Sequence, residues 1–113
     1  MTEEAIVVLC TVPRDFDAED LAGELVERSL AACVQIGPEV ASVYRWQGAV
    51  ERSEERLLLI KARSAQFAAI EAAIKARHPY QVPEIIALKV SDGHAPYLAW
   101  IAEATSTSGS RAR

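Results

Sequence analysis

Val40-Ala41-Ser42-Val43-Tyr44-Arg45-Trp46-Gln47-Gly48-Ala49-Val50-Glu51-Arg52-Ser53-Glu54-Glu55-Arg56-Leu57-Leu58-Leu59-Ile60 is the stretch on which the fold turns. Val40 to Trp46 has the β-branched and aromatic character of an extended segment, Gln47-Gly48 supplies a tight turn, and a return strand begins near Ala49. That return strand changes character half-way. Glu51 to Arg56 is almost wholly charged, whereas Leu57 to Ile60 is wholly apolar. A hairpin patterned in this way buries its base and leaves its tip to solvent or to a partner. Such an arm protrudes from a small domain.

Working outward toward the N-terminus, Val34 and Ile36 continue the extended pattern from Cys33 up to a Gly37-Pro38 break. Earlier still, Ala5-Ile6-Val7-Val8-Leu9-Cys10-Thr11-Val12 is a continuous apolar run stopped by Pro13, as expected of a strand central in a sheet. Between the two, Asp15 or Asp17 can cap a helix with Glu19 and Asp20 in its first turn and an apolar stripe of Leu21, Ala22, Leu25, Val26 and Leu30. That helix is expected to run to about Ala32. On the C-terminal side, Ser64 can cap a second helix whose Phe67, Ile70 and Ile74 face the sheet and which His78-Pro79 ends. Pro83 to Val90 is expected to be another strand, closed by Asp92-Gly93, and Tyr97, Leu98, Trp100 and Ile101 give the apolar face of a short final helix. Residues 106–113 are expected to form a disordered tail after a single domain spanning 1–105.

The order βαββαβ is the ferredoxin-like α+β plan, here with a long hairpin between its second and third strands and a short C-terminal helix. Right-handed crossovers place both long helices on one face of the sheet and leave the opposite face uncovered. An apolar open face and an unpaired hairpin edge together predict a homo-oligomer. Composition limits the partners further. Half of the 113 residues are hydrophobic and a quarter charged, in the ordinary globular range. Sixteen acidic and twelve basic side chains leave a formal charge of -4 with no Lys/Arg cluster, so nucleic acid is not an expected partner. The run from Ala5 to Val12 is too short for a membrane span and follows Glu3-Glu4 where a secretion signal carries positive charge, so a cytoplasmic protein is expected. Cys10 and Cys33 lie too far apart for a Cys-x-x-Cys motif, and no disulfide framework is supported.

Val8-Leu9-Cys10-Thr11-Val12-Pro13, Leu30-Ala31-Ala32-Cys33-Val34, Tyr44-Arg45-Trp46-Gln47-Gly48 and His78-Pro79-Tyr80-Gln81-Val82-Pro83-Glu84-Ile85-Ile86 resemble the successive signatures of the CutA family. Tyr97-Leu98-Ala99-Trp100-Ile101 closes the match, which covers about residues 5 to 104. The resemblance implies a tight homotrimer, similar in assembly to PII signalling proteins, with hairpins wrapped around neighbouring subunits and clefts between them. It also implies a role linked to divalent-cation tolerance and named for copper.

Three sets of residues could carry chemistry. Cys10 is a candidate metal ligand, since a thiolate prefers soft ions and its strand resembles the family segment whose cysteine is associated with copper; a lone cysteine among Val and Leu is most often a core filler. His78 is a candidate ligand for copper or zinc, and also a plain helix terminator. Some members of the family carry a second histidine where this chain has Arg77, which cannot ligate a metal at neutral pH. No zinc-like spacing supplies further ligands, and His94, near a turn, is expected to face solvent. The resemblance assigns the third set, Trp46, Glu55, Lys61, Tyr80 and Glu84, to the inter-subunit cleft. Aromatic walls with a few charges suit a small polar ligand or a cation, or else an interface held by aromatic anchors and salt bridges. Cys33 and Trp100 are assigned to packing.

The leading expectation is therefore a trimer that binds divalent metal, copper first, and contributes to metal tolerance. A PII-like adaptor that holds a small ligand in its cleft is the alternative. No enzymatic role is expected, because Cys10 as nucleophile and His78 as base come with no orienting group or oxyanion site.

Overall fold

The computed structural model describes residues 4–106. The expected tail lies outside them apart from Ser106, whose hydroxyl donates to the Glu103 carbonyl at 2.8 Å. The chain runs β1 (Ala5–Pro13), α1 (Ala18–Glu27), β2 (Cys33–Trp46), β3 (Ala49–Arg63), α2 (Phe67–Lys75), β4 (Ile85–Lys89) and α3 (Ala95–Ala104). One four-stranded sheet in the order β2-β3-β1-β4 is antiparallel at every pairing, the arrangement expected from βαββαβ.

The pleat of β1 sets the core. Ile6, Val8, Cys10 and Val12 alternate along it, all buried, and pack with Leu58, Ile60 and Ala62 of β3 under Leu21 and Leu25 of α1 and Ile70 and Ile74 of α2. Asp17 proves to be the cap of α1, its Oδ1 accepting from the Asp20 backbone N–H at 3.1 Å.

Three boundaries differ from the sequence reading. The first helix ends at Glu27, not near Ala32, because Ser29 takes a left-handed conformation with φ 59°. The N–H groups of Leu30 and Ala31 then turn back onto the Leu25 carbonyl at 3.0 and 3.2 Å. Ser64 does not cap α2 through its side chain; Ser64–Gln66 is a 3-10 turn anchored by the Ser64 N–H on the Glu4 carbonyl at 2.8 Å. β4 spans only Ile85–Lys89, since Pro83 has no N–H to give a ladder.

The long hairpin is shaped by two glycines. The β2–β3 register shifts between Ile36 and Glu39, and a Cβ on Gly37 would stand 3.1 Å from the Leu57 carbonyl oxygen, so backbone approaches backbone most closely at this irregularity. At the tip, Gln47 and Gly48 both have positive φ, 52° and 84°, the pairing of the two-residue turn that matches strand twist. The arm gives the molecule a longest extent of 46 Å against 27 and 23 Å in the other directions.

The sheet face away from α1 and α2 is not wholly uncovered. α3 packs on β3 and β1 at one end of it, with the Lys61 ammonium 6.0 Å from the Tyr97 ring centre and Thr105 accepting from Arg63 Nε at 2.7 Å. Elsewhere Ile86 and Leu88 of β4 remain about half exposed. Among the described residues no helix is long and apolar enough to cross a membrane.

Candidate functional site

Where the hairpin leaves the sheet, the alternation of β2 brings Ser42, Tyr44 and Trp46 to one face, opposite Ser53 and close to Glu55 of β3. The turn that follows α2 carries Tyr80 and Glu84 past the same place. Between them lies a cavity of about 870 Å³ whose walls include Thr11, Tyr44, Trp46, Glu55, Tyr80 and Glu84.

Glu55 is the buried charge of this cavity, 4 % exposed. The Ser42 hydroxyl donates to its Oε1 at 2.6 Å. Burial, followed by a hydrogen bond to the same carboxylate, pushes the Tyr80 hydroxyl up to about 12, so it stays protonated and donates. Tyr44 and Ser53 share a hydroxyl–hydroxyl bond of 2.7 Å beside it. The carboxylate is thus held by neutral donors. Glu84 is exposed.

Thr11 forms the floor, and the two candidate metal ligands meet beneath it. β4 begins opposite Cys10, so Thr11 lies beyond its ladder, and His78 Nε2 donates to the Thr11 carbonyl at 2.7 Å in place of a strand neighbour. Because a carbonyl only accepts, Nε2 carries the proton. The other ring nitrogen, Nδ1, accepts from the Tyr80 backbone N–H at 3.1 Å. The ring lies between Phe16, centroids 6.1 Å apart, and Tyr80, 4.8 Å. The Cys10 thiol, fully buried, donates weakly to the same Thr11 carbonyl at 3.7 Å. Burial first, and then the negative charges of Glu84 and Glu55, push that thiol up to about 12.

Trp46, Glu55, Tyr80 and Glu84 thus line one cavity together with Thr11, whose carbonyl is bonded by both Cys10 and His78. Lys61 does not join them; it lies further along β3, its Nζ donating to Gln35 Oε1 at 2.8 Å. Arg77 turns away toward α1, where it bonds Asp20 at 2.6 Å and Glu24 at 3.0 Å. His94 is exposed at the start of α3, and Cys33 is half-buried. Among the described residues no three His, Cys, Asp or Glu side chains are grouped so as to hold a metal. Sequence reading passed over Ser42, Tyr44, Ser53 and Thr11. Period-two counting back from Trp46 would have found Tyr44 and Ser42; Thr11 acts through its carbonyl, which no residue type signals.

Residues 6–104 match the family model described as CutA1 divalent ion tolerance protein. The divalent-cation tolerance protein CutA of Thermus thermophilus is 48% identical over 99 residues, covering 88% of this chain and 96% of that relative. The rice protein named CutA 1, chloroplastic, is 43% identical over 107 residues, which cover 95% of this chain and 60% of that relative. The crystal structure of CutA1 from Oryza sativa superposes with a TM-score of 0.88 at 43% identity, covering 95% of this chain and 98% of that one. The family model and the Thermus relative are named for a tolerance and not for a reaction. The chain belongs to the CutA1 divalent ion tolerance family.

Proposed function

We propose that this chain contributes to divalent-cation tolerance as a cytoplasmic homotrimer whose working site is the cleft at the hairpin base, where a small ligand is held as in a PII-like adaptor. The observation that carries this reading is Glu55, a carboxylate 4 % exposed at the floor of an aromatic cavity and held only by hydroxyls. Aromatic walls around a carboxylate suit a small polar ligand or a cation. The two free thiols suit a reducing compartment.

Direct binding of a divalent metal, copper first, at Cys10 and His78 is the second reading, favoured by the family's name. As placed, the pair does not fit a bound metal. The thiol is protonated and sealed, and both imidazole nitrogens are engaged. Uptake at this pair would require a ring nitrogen to release Thr11 or Tyr80, and further ligands from another copy of the chain.

Titration of Cu(II), with Zn(II) for comparison, into the wild type, Cys10→Ser and His78→Ala separates the two readings. Weak binding, not stoichiometric and indifferent to both substitutions, is expected. Saturable binding of copper per subunit that either substitution abolishes, with the oligomer intact, would replace the cleft reading by the metal reading.

A further inference from the structure

We propose that Arg77 is a positioning residue for the cleft: its ion pairs to α1 fix the turn at His78 and, through that turn, the wall that Tyr80 to Glu84 present to the cavity. The inference rests on the cleft reading above for what the wall serves, while the geometry it invokes is the chain's own.

The wall is the first argument. Tyr80, Gln81, Val82, Pro83 and Glu84 all line the cavity, five consecutive residues, and Arg77 itself stands outside its walls. Between the end of α2 at Lys75 and the start of β4 at Ile85 the chain forms neither helix nor strand, so no regular series of backbone bonds sets where these five residues stand. Their placement follows from where the segment is rooted.

That root is the second argument. Arg77 and His78 are consecutive, and both of their N–H groups return to the Ile74 carbonyl, at 3.0 and 2.9 Å. Their side chains then run to different elements. Arg77 reaches α1, Nη2 to Asp20 Oδ2 at 2.6 Å and Nη1 to Glu24 Oε1 at 3.0 Å. His78 reaches β1 and closes on its own segment, Nε2 donating to the Thr11 carbonyl and Nδ1 accepting from the Tyr80 N–H. A segment held to a helix by one residue and to a strand by the next has its direction fixed as well as its position. Phe16 joins the two anchors, its ring stacked on the imidazole at 22° and 6.0 Å from the Arg77 guanidinium carbon. The α1 side is itself prepared. Glu24 receives Arg77 on one oxygen and Arg28, one helical turn on, on the other at 2.7 Å, so its carboxylate is already aimed. Charge-assisted bonds are strongest where partly sheltered, and the Arg77 side chain is 26% exposed. Every one of these contacts is made within a single chain, and none depends on how copies assemble.

The test uses the full chain as it assembles, labelled with the NMR-active nitrogen isotope and free of ligand, at about pH 8, where an ordinary imidazole is neutral. The chain has two histidines. His78 is expected to show the Nε2–H form alone, and exposed His94 to average the two tautomers. Arg77→Leu is expected to move the His78 ring nitrogens toward averaged values and to speed exchange of the Tyr80 amide hydrogen about tenfold, with the amides of the β1–β3 ladder unchanged. Asp20→Asn combined with Glu24→Gln leaves residue 77 untouched and should do the same. Unmoved His78 and Tyr80 signals in Arg77→Leu would overturn the inference, and so would a wild-type His78 that already averages its tautomers. Ladder amides that speed up by the same factor would overturn it as well, since they mark a loss of stability throughout the fold. An effect of Arg77→Leu that the carboxylate variant does not reproduce would show that the ion pairs do not carry it. All of these signals are read with the cleft empty, so a cleft that binds nothing leaves them unchanged and is detected by ligand titration alone.

Discussion

Thr11 offers its carbonyl to two groups at once, the His78 imidazole and the Cys10 thiol, and this shared acceptor explains why neither behaves as a free functional group. The thiol has a consequence for pH. Its ordinary value is 9.0 and in the fold it is pushed up to about 12; Tyr80 moves from 10.0 to about 12. Both shifts favour the protonated form in the folded state. The stability they contribute is therefore complete below about pH 9 and is lost as pH climbs toward 12. Denaturant unfolding measured from pH 7 to 11.5 should show stability level to about pH 9 and falling steadily above it. Cys10→Ala, about 1–2 kcal/mol less stable at neutral pH through its cavity, should fall less steeply over the alkaline range. Parallel profiles for the two proteins would show that the thiol is not sealed. That Cys10 packs in the core was already legible in its Val and Leu neighbours, and the role of His78 at a helix end in its step to Pro79. Their common acceptor was not legible, because it is backbone and its availability depends on where β4 begins.

Among the elements, the hairpin was the most readable and offers the cleanest local test. Gln47 and Gly48 both adopt positive φ, a conformation that glycine takes freely, asparagine tolerates and glutamine resists. Gly48 has open space around its Cβ position, so an added methyl meets no steric contact and only the backbone conformation is penalised. Gly48→Ala should thus cost about 1 kcal/mol, and Gln47→Asn should gain about 0.5 kcal/mol. Chemical denaturation of both variants beside the wild type checks the pair, and a neutral Gly48→Ala would contradict the turn geometry. The turn, the β1 run and a cap at Asp15 or Asp17 were legible because each rests on chemistry local to a few residues. What escaped the sequence rests on contacts made at a distance. Ser29 enters a left-handed turn to deliver Ala31 and Ala32 into the core, the Ala32 N–H reaching the Lys61 carbonyl at 2.8 Å. The register shift after Ile36 arises from the meeting of Gly37 with Leu57, and the site of α3 from Lys61 and Arg63 receiving it.

For the whole molecule the decisive quantity is apolar surface left without a neighbour. Ile86 and Leu88 stand about half exposed on the sheet face that α3 leaves open, and Val43 and Val50 of the arm are 68% and 66% exposed. Among the described residues the outer edge of β2 has no strand neighbour along the arm. Surface of this kind, on a strand edge fourteen residues long, invites another copy of the chain. Covering the exposed halves of Ile86 and Leu88 would contribute about 1 kcal/mol each, repeated at every interface of a closed ring. The family resemblance implies that the copies number three, so light scattering at micromolar concentration is expected to give three times the 12.3 kDa mass of the chain. Leu88→Arg places a charge in that interface and should shift the mass toward the monomer. Trp46→Ala should loosen the assembly only if the ring anchors the arm against a neighbour; in the cleft reading it lowers ligand affinity and leaves the mass unchanged. A wild type that scatters as a monomer would remove the trimer, and a Leu88→Arg variant of unchanged mass would move the interface off the β4 face onto the arm.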